Sequence, residues 1–530
     1  MHYRPMVRRW FFAVAVVLIG GIAALGAWQP GALWAFAVVG PLVLLGFRDA
    51  LQGKHSLLRN YPVIGHGRYL LEEIRPEIQQ YFVETNTNGK PFSRNDRSVV
   101  YRRAKKALQS VPFGTQEDLY EVGAEWVNHS VVPRHAGNEE PRVSIGGSEC
   151  TQPYAASHLN ISAMSYGSLS KNAIEALSRG ARAAGCFHNT GEGGVSPYHL
   201  AGGADLCWQI GTGYFGCRAG DGGFDRGRFA EQAARPEIKL VEVKLSQGAK
   251  PAHGGILPGD KVTPEIAAIR GVPVGETVHS PPGHRTFSTP RGLLEFVADL
   301  REASGGKPVG FKLCVGHRRQ FMAICKAMVE TGLRPDFIAI DGAEGGTGAA
   351  PLEFSDSVGM PLDEGLLFAR NALVGCNLKD DIRLIASGKV TTGYRIIRSL
   401  ALGADLCTSA RAMMFALGCI QARRCNSNDC PVGVATTNAA LVKGLVVEPK
   451  ARRVENYHRA TIRAFMDLVG AAGVDNPGEI EPHHVSRRTA HNEVRHFDEI
   501  YAYVEPGAIV GGEAPDGYQS FYERASADAF

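Results

Sequence analysis

Apolar positions follow two different textures along this chain. Near the N-terminus, Trp10 to Trp28 (WFFAVAVVLIGGIAALGAW) runs for nineteen residues without a charge. A helix of that length rises roughly 28 Å, close to the thickness of a bilayer core. The turn Gln29-Pro30-Gly31-Ala32 follows, then a second uncharged run from Leu33 to Phe47. A cleavable signal peptide is the competing reading, with Arg8 and Arg9 in its basic leader. The second run follows at once, however, with no clear small-residue cleavage site between. The pattern therefore predicts a membrane-anchoring helical hairpin. Arg4, Arg8 and Arg9 precede it and Arg48 and Lys54 follow it, while the turn has no basic residue. Both ends are expected in the cytoplasm, and with them the rest of the chain.

Residues 49–158 are polar and mixed, with short helical stretches punctuated by Pro62 and Pro76. They are expected to form a connecting layer on the main domain. After Leu159 short apolar runs end in glycine-rich turns and alternate with helical patterns. Strands are expected at Ile161–Met164, Leu240–Leu245, Val309–Val315, Phe337–Ile340, Ile382–Ala386 and Asp405–Ser409. Helices are expected at Asn172–Ala184, Gly292–Ala303 and Thr392–Leu402. Such alternation makes an α/β fold on a parallel sheet, doubly wound or closed into a barrel. Polar and glycine residues cluster just past the strands, where an eightfold barrel keeps its active site. The resulting division is an anchor (1–48), a connecting region (49–158), a barrel (159–445) and a charged extension (446–530) expected to wrap or fray.

Composition changes this picture little. Apolar content of 44% and charged content of 21% are those of a globular protein, and a surplus of 57 − 53 = 4 basic residues gives no reason to expect nucleic acid. The eleven cysteines are scattered, most of them within apolar runs such as those around Cys314 and Cys407. That fits reduced thiols better than a disulfide framework.

Cys419, Cys425 and Cys430, the last followed by Pro431, stand apart. Three thiolates on one loop with a final Cys-Pro suit an iron–sulfur cluster, and three rather than four suit a three-iron one. Zinc or plain buried thiols are the alternatives, although zinc favours four ligands and often a Cys-x-x-Cys pair. Next come ASGKVTTG (Ala386–Gly393) and GADLCTSARA (Gly403–Ala412), two successive strand-to-helix turns. Their backbone amides, with Arg411, make a phosphate site; the plainer reading is two ordinary turns. Lys312 is a lone charge in the apolar strand VGFKLCV, so it is expected to point into a site, where it can stabilise a reduced flavin. Loops around Ile161–Ser170, His188–Gly194 (with Glu192) and Lys244–Gly255 (with Lys244, Gln247, Lys250 and His253) are dense in polar side chains. Spacing leaves open whether they are catalytic or simply solvated. Gly211-Thr-Gly213-Tyr-Phe-Gly216 matches a dinucleotide fingerprint, but Gly220, Asp221 and Gly222 stand where its helix should run, so it is rejected.

ISAMSYGSLS, NTGEGG, QGAKP, EGGTGAAP and the segment from Cys419 to Thr436, in that order, resemble the FMN-binding synthase region of glutamate synthases over about Leu159 to Leu441. GHGRYLLE and GILPGDKVTPEIAAIRG resemble the shorter, single-chain glutamate synthase-related proteins. The resemblance implies a (β/α)8 TIM barrel with FMN at its C-terminal face and a 3Fe-4S cluster on Cys419, Cys425 and Cys430. Electrons would pass from cluster to FMN to 2-iminoglutarate, which forms from 2-oxoglutarate and ammonia. It implies Lys312 beside the flavin, and Ser387, Gly388, Gly393, Ser409 and Arg411 around its phosphate and ribityl chain. Met164, Ser165, Gln247, Gly346 and Thr347 would also approach the cofactor. Glu192, Lys250 and Arg270 would surround 2-oxoglutarate, with Gln247 beside the reacting groups.

This chain departs from the family where it has His253, Ile256, Ala343 and Glu344. Those positions put the keto acid in question, because a lost hydrogen bond changes discrimination strongly. It has no recognisable glutamine-hydrolysing or NADPH-binding region, so ammonia or another amine, and electrons from a carrier such as ferredoxin or an NAD(P)H-oxidising partner, are expected from elsewhere. An oxidoreductase acting on a different keto acid or amine, and a membrane-bound electron relay, are the other functions that this pattern admits.

Overall fold

The computed structural model describes residues 7–135, 137 and 140–530; Arg4 lies outside them. Two compact units divide the chain, Met1–Arg94 and Asn95–Phe530. Residues 49–158, expected as one connecting layer, are thus split at Arg94.

In the first unit, α1 (Val7–Trp28) and α2 (Phe36–Leu51) are joined through a tight turn at Pro30–Ala35. Val7–Trp28 and Pro30–Leu51 are each long and apolar enough to cross a membrane. Protein covers little of them: Val16 is 69% exposed and Leu44 72%. They run antiparallel, because Arg8 donates to the Ala50 carbonyl at 2.9 Å and Phe11 meets Phe47 edge-on. Gly46 admits the Phe11 ring into the space a side chain would fill. Arg8 and Arg48 therefore share one end of the pair.

The second unit begins one residue into α3 (Arg94–Ala104) and is built on a closed barrel of eight parallel strands. These are β1 (Leu159–Ile161), β2 (His188–Asn189), β3 (Leu206–Ile210), β4 (Ile238–Lys244), β5 (Val309–Leu313), β6 (Phe337–Asp341), β7 (Arg383–Ser387) and β8 (Leu406–Ser409). Each pairs with the next in sequence, and β8 closes on β1 through Cys407–Leu159, Thr408–Asn160 and Ser409–Ile161. Helices on the outside include α4 (Lys171–Ala184), α5 (Gly393–Ala401) and α6 (Arg411–Leu417). Helix α4 shows how the sequence sets the boundaries. The Ser170 hydroxyl accepts from the Ala173 amide at its start, and Gly185 takes the left-handed conformation at its end.

The first strand lies earlier than expected, so Met164 sits in the loop beyond it. Strands β2 and β3 were not anticipated. The first is only two residues long, and the second, LCWQI, is buried throughout and has no alternation to mark it. A hairpin of Val143–Ile145 and Tyr154–Ala156 plugs the N-terminal end of the barrel. There Ile145 and Ala156 pack with Phe187, Leu240, Phe337 and Leu406. With that end filled by apolar side chains, polar chemistry is left to the other.

The C-terminal extension is folded, not frayed. Helix α7 (Val447–Ala471) buries Val454, Tyr457 and Phe465. It approaches α4 and α5 closely: a Cβ on Gly180 would stand 2.6 Å from that of Val454, and one on Gly393 2.5 Å from the Phe465 amide nitrogen. Val485–Ala490 then pairs antiparallel with Glu125–Val127. Arg398 donates to Glu125 at 2.6 Å and Arg487 does so at 2.7 Å, while Arg398 also pairs with Asp363.

Candidate active site

Five polar side chains converge at the open, C-terminal end of the barrel. Lys312 on β5 is buried, with its ammonium 3.4 Å from an Asp341 carboxylate oxygen. Burial works against its charge, but Asp341 and Glu242 outweigh that and push its pKa upward, so it stays cationic. Asp341, ending β6, also accepts the Gly248 amide at 2.8 Å. Glu242 on β4 takes hydrogen bonds from Asn189 at 2.8 Å and Gln209 at 2.6 Å. The lone charge at Lys312 was legible; these partners were not. The same signal marks two of them, since Glu242 is a single acid within IKLVEVK and Asp341 the last residue of FIAID.

Above this layer lies Glu192. Lys244, the last residue of β4, stands 3.0 Å from its carboxylate and donates to the Gln247 side chain at 2.7 Å. Gly211 and Gly255 make room for Glu192: a Cβ on Gly211 would lie 2.7 Å from its Cβ, and one on Gly255 would meet Oε1. Lys250 and Arg270 complete the group, both almost fully buried. Burial would raise the Glu192 pKa, but Lys244, Arg270 and Lys250 hold it below the usual carboxylate value. Burial lowers Lys250 to about 8 against the pull of Glu192, and Arg270 to about 10 in the same way.

Arg270 is held in place from several sides. It donates to the Tyr166 carbonyl at 3.0 Å and reaches the Ser165 hydroxyl at 3.5 Å. It lies over the Phe215 ring at 5.2 Å, and its Nε has no partner among the described residues. Gly193 permits this approach, since a Cβ there would stand 2.7 Å from Nη2. Met164 is buried, its carbonyl facing the His199 ring nitrogen at 3.3 Å. His284 bonds the Lys244 carbonyl at 2.9 Å and so fixes the end of β4. Ile256 adjoins Gly255 in a short strand paired with Val278–His279, whereas the His253 ring packs edge-on against Phe354.

A third group forms past β7 and β8. The Ser409 hydroxyl donates to the Val390 carbonyl at 2.7 Å and ties the two turns together. Ser387 accepts the Gly342 amide at 2.9 Å through its carbonyl, and Gly388 lies near Leu362 and Glu344. Arg411 donates to the Glu344 carbonyl at 2.8 Å and packs under Gly346, which is exposed like Thr347. Lys389 has a left-handed backbone (φ 44°), and burial followed by repulsion from Arg411 lowers its pKa. Two cations are thus gathered beside the start of α5, where Thr392 caps the helix by accepting the Arg395 amide. This donor set fits a phosphate. Gly393 is also a packing glycine, pressed against Phe465.

The cysteine segment follows α6. Cys419 and Cys425 are half-buried and Cys430 is buried, and the three thiols lie within electrostatic reach of one another. Burial, then the neighbouring thiols, pushes Cys419 up to about 12 and raises Cys425. Such a group is poorly suited to free thiolates and gains from a cationic centre. Among the described residues no group of three or more Cys, His, Asp or Glu side chains is placed to hold a metal ion. The all-sulfur donor set is of the kind that holds an iron–sulfur cluster. Lys261, which the sequence did not single out, braces the segment. Its ammonium donates to the carbonyls of Cys425 at 2.7 Å, Ala435 at 3.0 Å and Ser168 at 3.3 Å.

Residues 127–475 match the family model described as the conserved region in glutamate synthase. The chain belongs to the glutamate synthase family. It is therefore an oxidoreductase of the group acting on CH–NH2 donors. A glutamate synthase large subunit-like protein of Bacillus subtilis is 38% identical over 504 residues, covering 87% of this chain and 95% of the relative. An archaeal glutamate synthase [NADPH] of Methanocaldococcus jannaschii is 36% identical over 318 residues, 60% of this chain and 59% of that one. Among solved structures, a flavocytochrome b2 with pyruvate bound aligns over 79% of this chain and 85% of its own, at 13% identity and a TM-score of 0.40. In this glutamate synthase-family chain the matched region reaches beyond the barrel into α7, the helix that packs on α4 and α5. The rejected dinucleotide motif follows β3, but the next helix begins only at Arg226, so no phosphate-binding helix opens from it.

Proposed function

We propose that this chain reduces 2-iminoglutarate, formed from 2-oxoglutarate and ammonia, to glutamate. FMN would lie at the C-terminal end of the barrel and a three-iron cluster on Cys419, Cys425 and Cys430. Charge balance is the observation that carries the substrate. Three buried cations, Lys244, Lys250 and Arg270, surround one carboxylate, Glu192, an excess of 3 − 1 = 2 positive charges. Uncompensated buried charge is costly, and a dicarboxylate answers it.

When bound, FMN supplies hydride and the cluster supplies electrons one at a time, from a carrier such as ferredoxin or an NAD(P)H-oxidising partner. The chain's own residues do the rest. Lys389 and Arg411, with the turns at Ser387, Gly388 and Ser409, would hold the phosphate, and the Gly346–Thr347 loop lies over Arg411. Lys312, kept charged by Asp341 and Glu242, would face the part of the flavin that gains negative charge. Arg270 and Lys244 would hold the substrate carboxylates. Ionised Glu192 would accept a hydrogen bond from the substrate nitrogen, orienting it. Lys250, kept protonated by the bound dicarboxylate, is placed to deliver a proton. Imine to amine consumes two electrons and two protons.

Anaerobic protein reconstituted with FMN and iron, then given dithionite, 2-oxoglutarate and ammonium, is expected to form glutamate, measured by chromatography. Reoxidation of the flavin by some other keto acid, with no glutamate, favours the second reading. That reading is a different substrate, and it is motivated by apolar Ile256 beside Gly255 at the Glu192 carboxylate.

We also infer that α1 and α2 tether the chain to a membrane with the barrel on the cytoplasmic side, the basic ends of both helices lying together. Washed membranes should retain the full chain and lose one that lacks residues 1–51; equal partition of the two sinks this reading.

A further inference from the structure

The helix His66–Ile78 and the wider turn that continues it, Gln79–Val83, bury none of their residues. Their sequence is nevertheless two-sided. At about 100° per residue, Leu70, Leu71, Ile74 and Ile78 fall on one side of the helix, in a stripe roughly 100° wide. Arg68, Glu72, Glu73 and Arg75 fall on the other, where Arg68 pairs with Glu72 at 3.2 Å. Leu70 is 59% exposed, and Phe82 in the continuing turn 84%. A contiguous apolar stripe left open in this way marks a surface that meets an apolar partner.

The start of this helix is fastened to the end of the apolar pair α1 and α2, within one compact unit. Asp49, buried in the last turn of α2, bonds the His66 ring nitrogen at 2.9 Å and accepts the Val63 amide at 3.0 Å. Gly46 makes room for that turn, since a Cβ there would lie 3.0 Å from Val63 Cγ2. Buried Leu58 packs under Gly65, the residue before the helix. Asp49 stands two residues past the uncharged run that ends at Phe47. Resting on the reading of α1 and α2 as a membrane tether, Asp49 therefore marks the level of the lipid headgroups, and His66 is held there with it. We infer that the helix lies in the cytoplasmic surface of the bilayer, with Leu70, Leu71, Ile74 and Ile78 sunk among the lipid chains and its charged side in water. Interfacial helices of this kind sink their apolar face by roughly 5–10 Å. Phe82 and Tyr81, both exposed at its far end, are of the aromatic type that settles at that depth. Two arginines against three glutamates (Glu72, Glu73 and Glu77) leave the helix a charge of 2 − 3 = −1. Apolar contact, not attraction to anionic lipid, is then what holds it. The chain thus has a second grip on the bilayer, along its surface rather than across it.

The test uses the full chain in nanodiscs of phosphatidylcholine, a lipid without net charge. The photo-crosslinking residue p-benzoylphenylalanine replaces one side chain at a time: Ile74 on the apolar side, Glu73 on the charged side, and Val16 in α1 as the control for the tether. All three positions are exposed, so circular dichroism of each variant should match wild type. After irradiation, mass spectrometry reads what each position has captured. Lipid adducts are expected at 16 and at 74, with the yield at 74 several-fold above that at 73. Lipid adducts at 16 but none at 74 overturn the surface helix alone. So does capture at 74 of a second copy or of the chain's own barrel, and so do equal lipid yields at 73 and 74. Protein that captures no lipid at 16 refutes the tether reading itself.

Discussion

Lys250 gives the substrate reading its sharpest quantitative test. Its pKa of about 8 reflects burial only partly offset by Glu192. At pH 7 roughly nine-tenths of the side chain is charged, and at pH 9 roughly one-tenth. A substrate carboxylate about 4 Å from the ammonium contributes roughly 4 kcal/mol at an effective dielectric constant of about 20, or some three pK units. Bound substrate therefore carries Lys250 back above pH 10. Proton linkage fixes the sign. The complex holds a proton that the free site loses above pH 8, so affinity is flat below pH 7 and falls as pH rises through 8. The loss is about tenfold, or ~1.4 kcal/mol, between pH 7 and pH 9. Calorimetric titration of oxidised, FMN-loaded protein with 2-oxoglutarate at pH 7, 8 and 9 measures it. Lys250→Arg, charged throughout, should flatten the profile, and Lys250→Met should weaken binding at pH 7 and also flatten it. A wild-type profile that is level from pH 7 to 9, or a Lys250→Arg profile that keeps the wild-type slope, would refute this account.

Three further outcomes follow from the geometry. Cys425→Ser should leave the barrel folded by circular dichroism while iron and acid-labile sulfide fall well below wild type; undiminished iron argues for other ligands. Lys312→Gln removes the cation beside the flavin and should lower the two-electron potential of bound FMN by about 30 mV for each ~1.4 kcal/mol lost, read by dye-coupled titration. An unchanged potential places Lys312 away from the flavin. Gly393→Ala drives a methyl group against the Phe465 backbone and should cost about 1–3 kcal/mol, seen as a lower melting temperature. An unaltered melting point means that α7 does not pack there as described.

Where single segments carry the signal, the sequence reads well. The two apolar runs became α1 and α2, and Lys312 was conspicuous as one charge in an apolar strand. Strand β2 was invisible because two residues have no period. The partners of Lys312 were hidden for a different reason: Asp341 and Glu242 come from the strands on either side of β5, and the pairing of those strands brings them together. Glu192 and Lys250 were legible as residues but not as a pair held by one charge balance. The extension, expected to wrap or fray, contains a 25-residue helix because Gly180 and Gly393 open grooves for it on helices far upstream.

Lys261 sets an order of assembly. It comes from the stretch between β4 and β5, and its ammonium ends among three carbonyls, one of them contributed by Cys425, 164 residues further along the chain. As the chain emerges from the ribosome, that ammonium stays hydrated until the cysteine segment is made. Closing the segment dehydrates it and at the same moment joins the loop after β1, through the Ser168 carbonyl, to the carbonyls of Cys425 and Ala435. Until the cysteine segment is in place, two of the three carbonyls that Lys261 needs, those of Cys425 and Ala435, are missing.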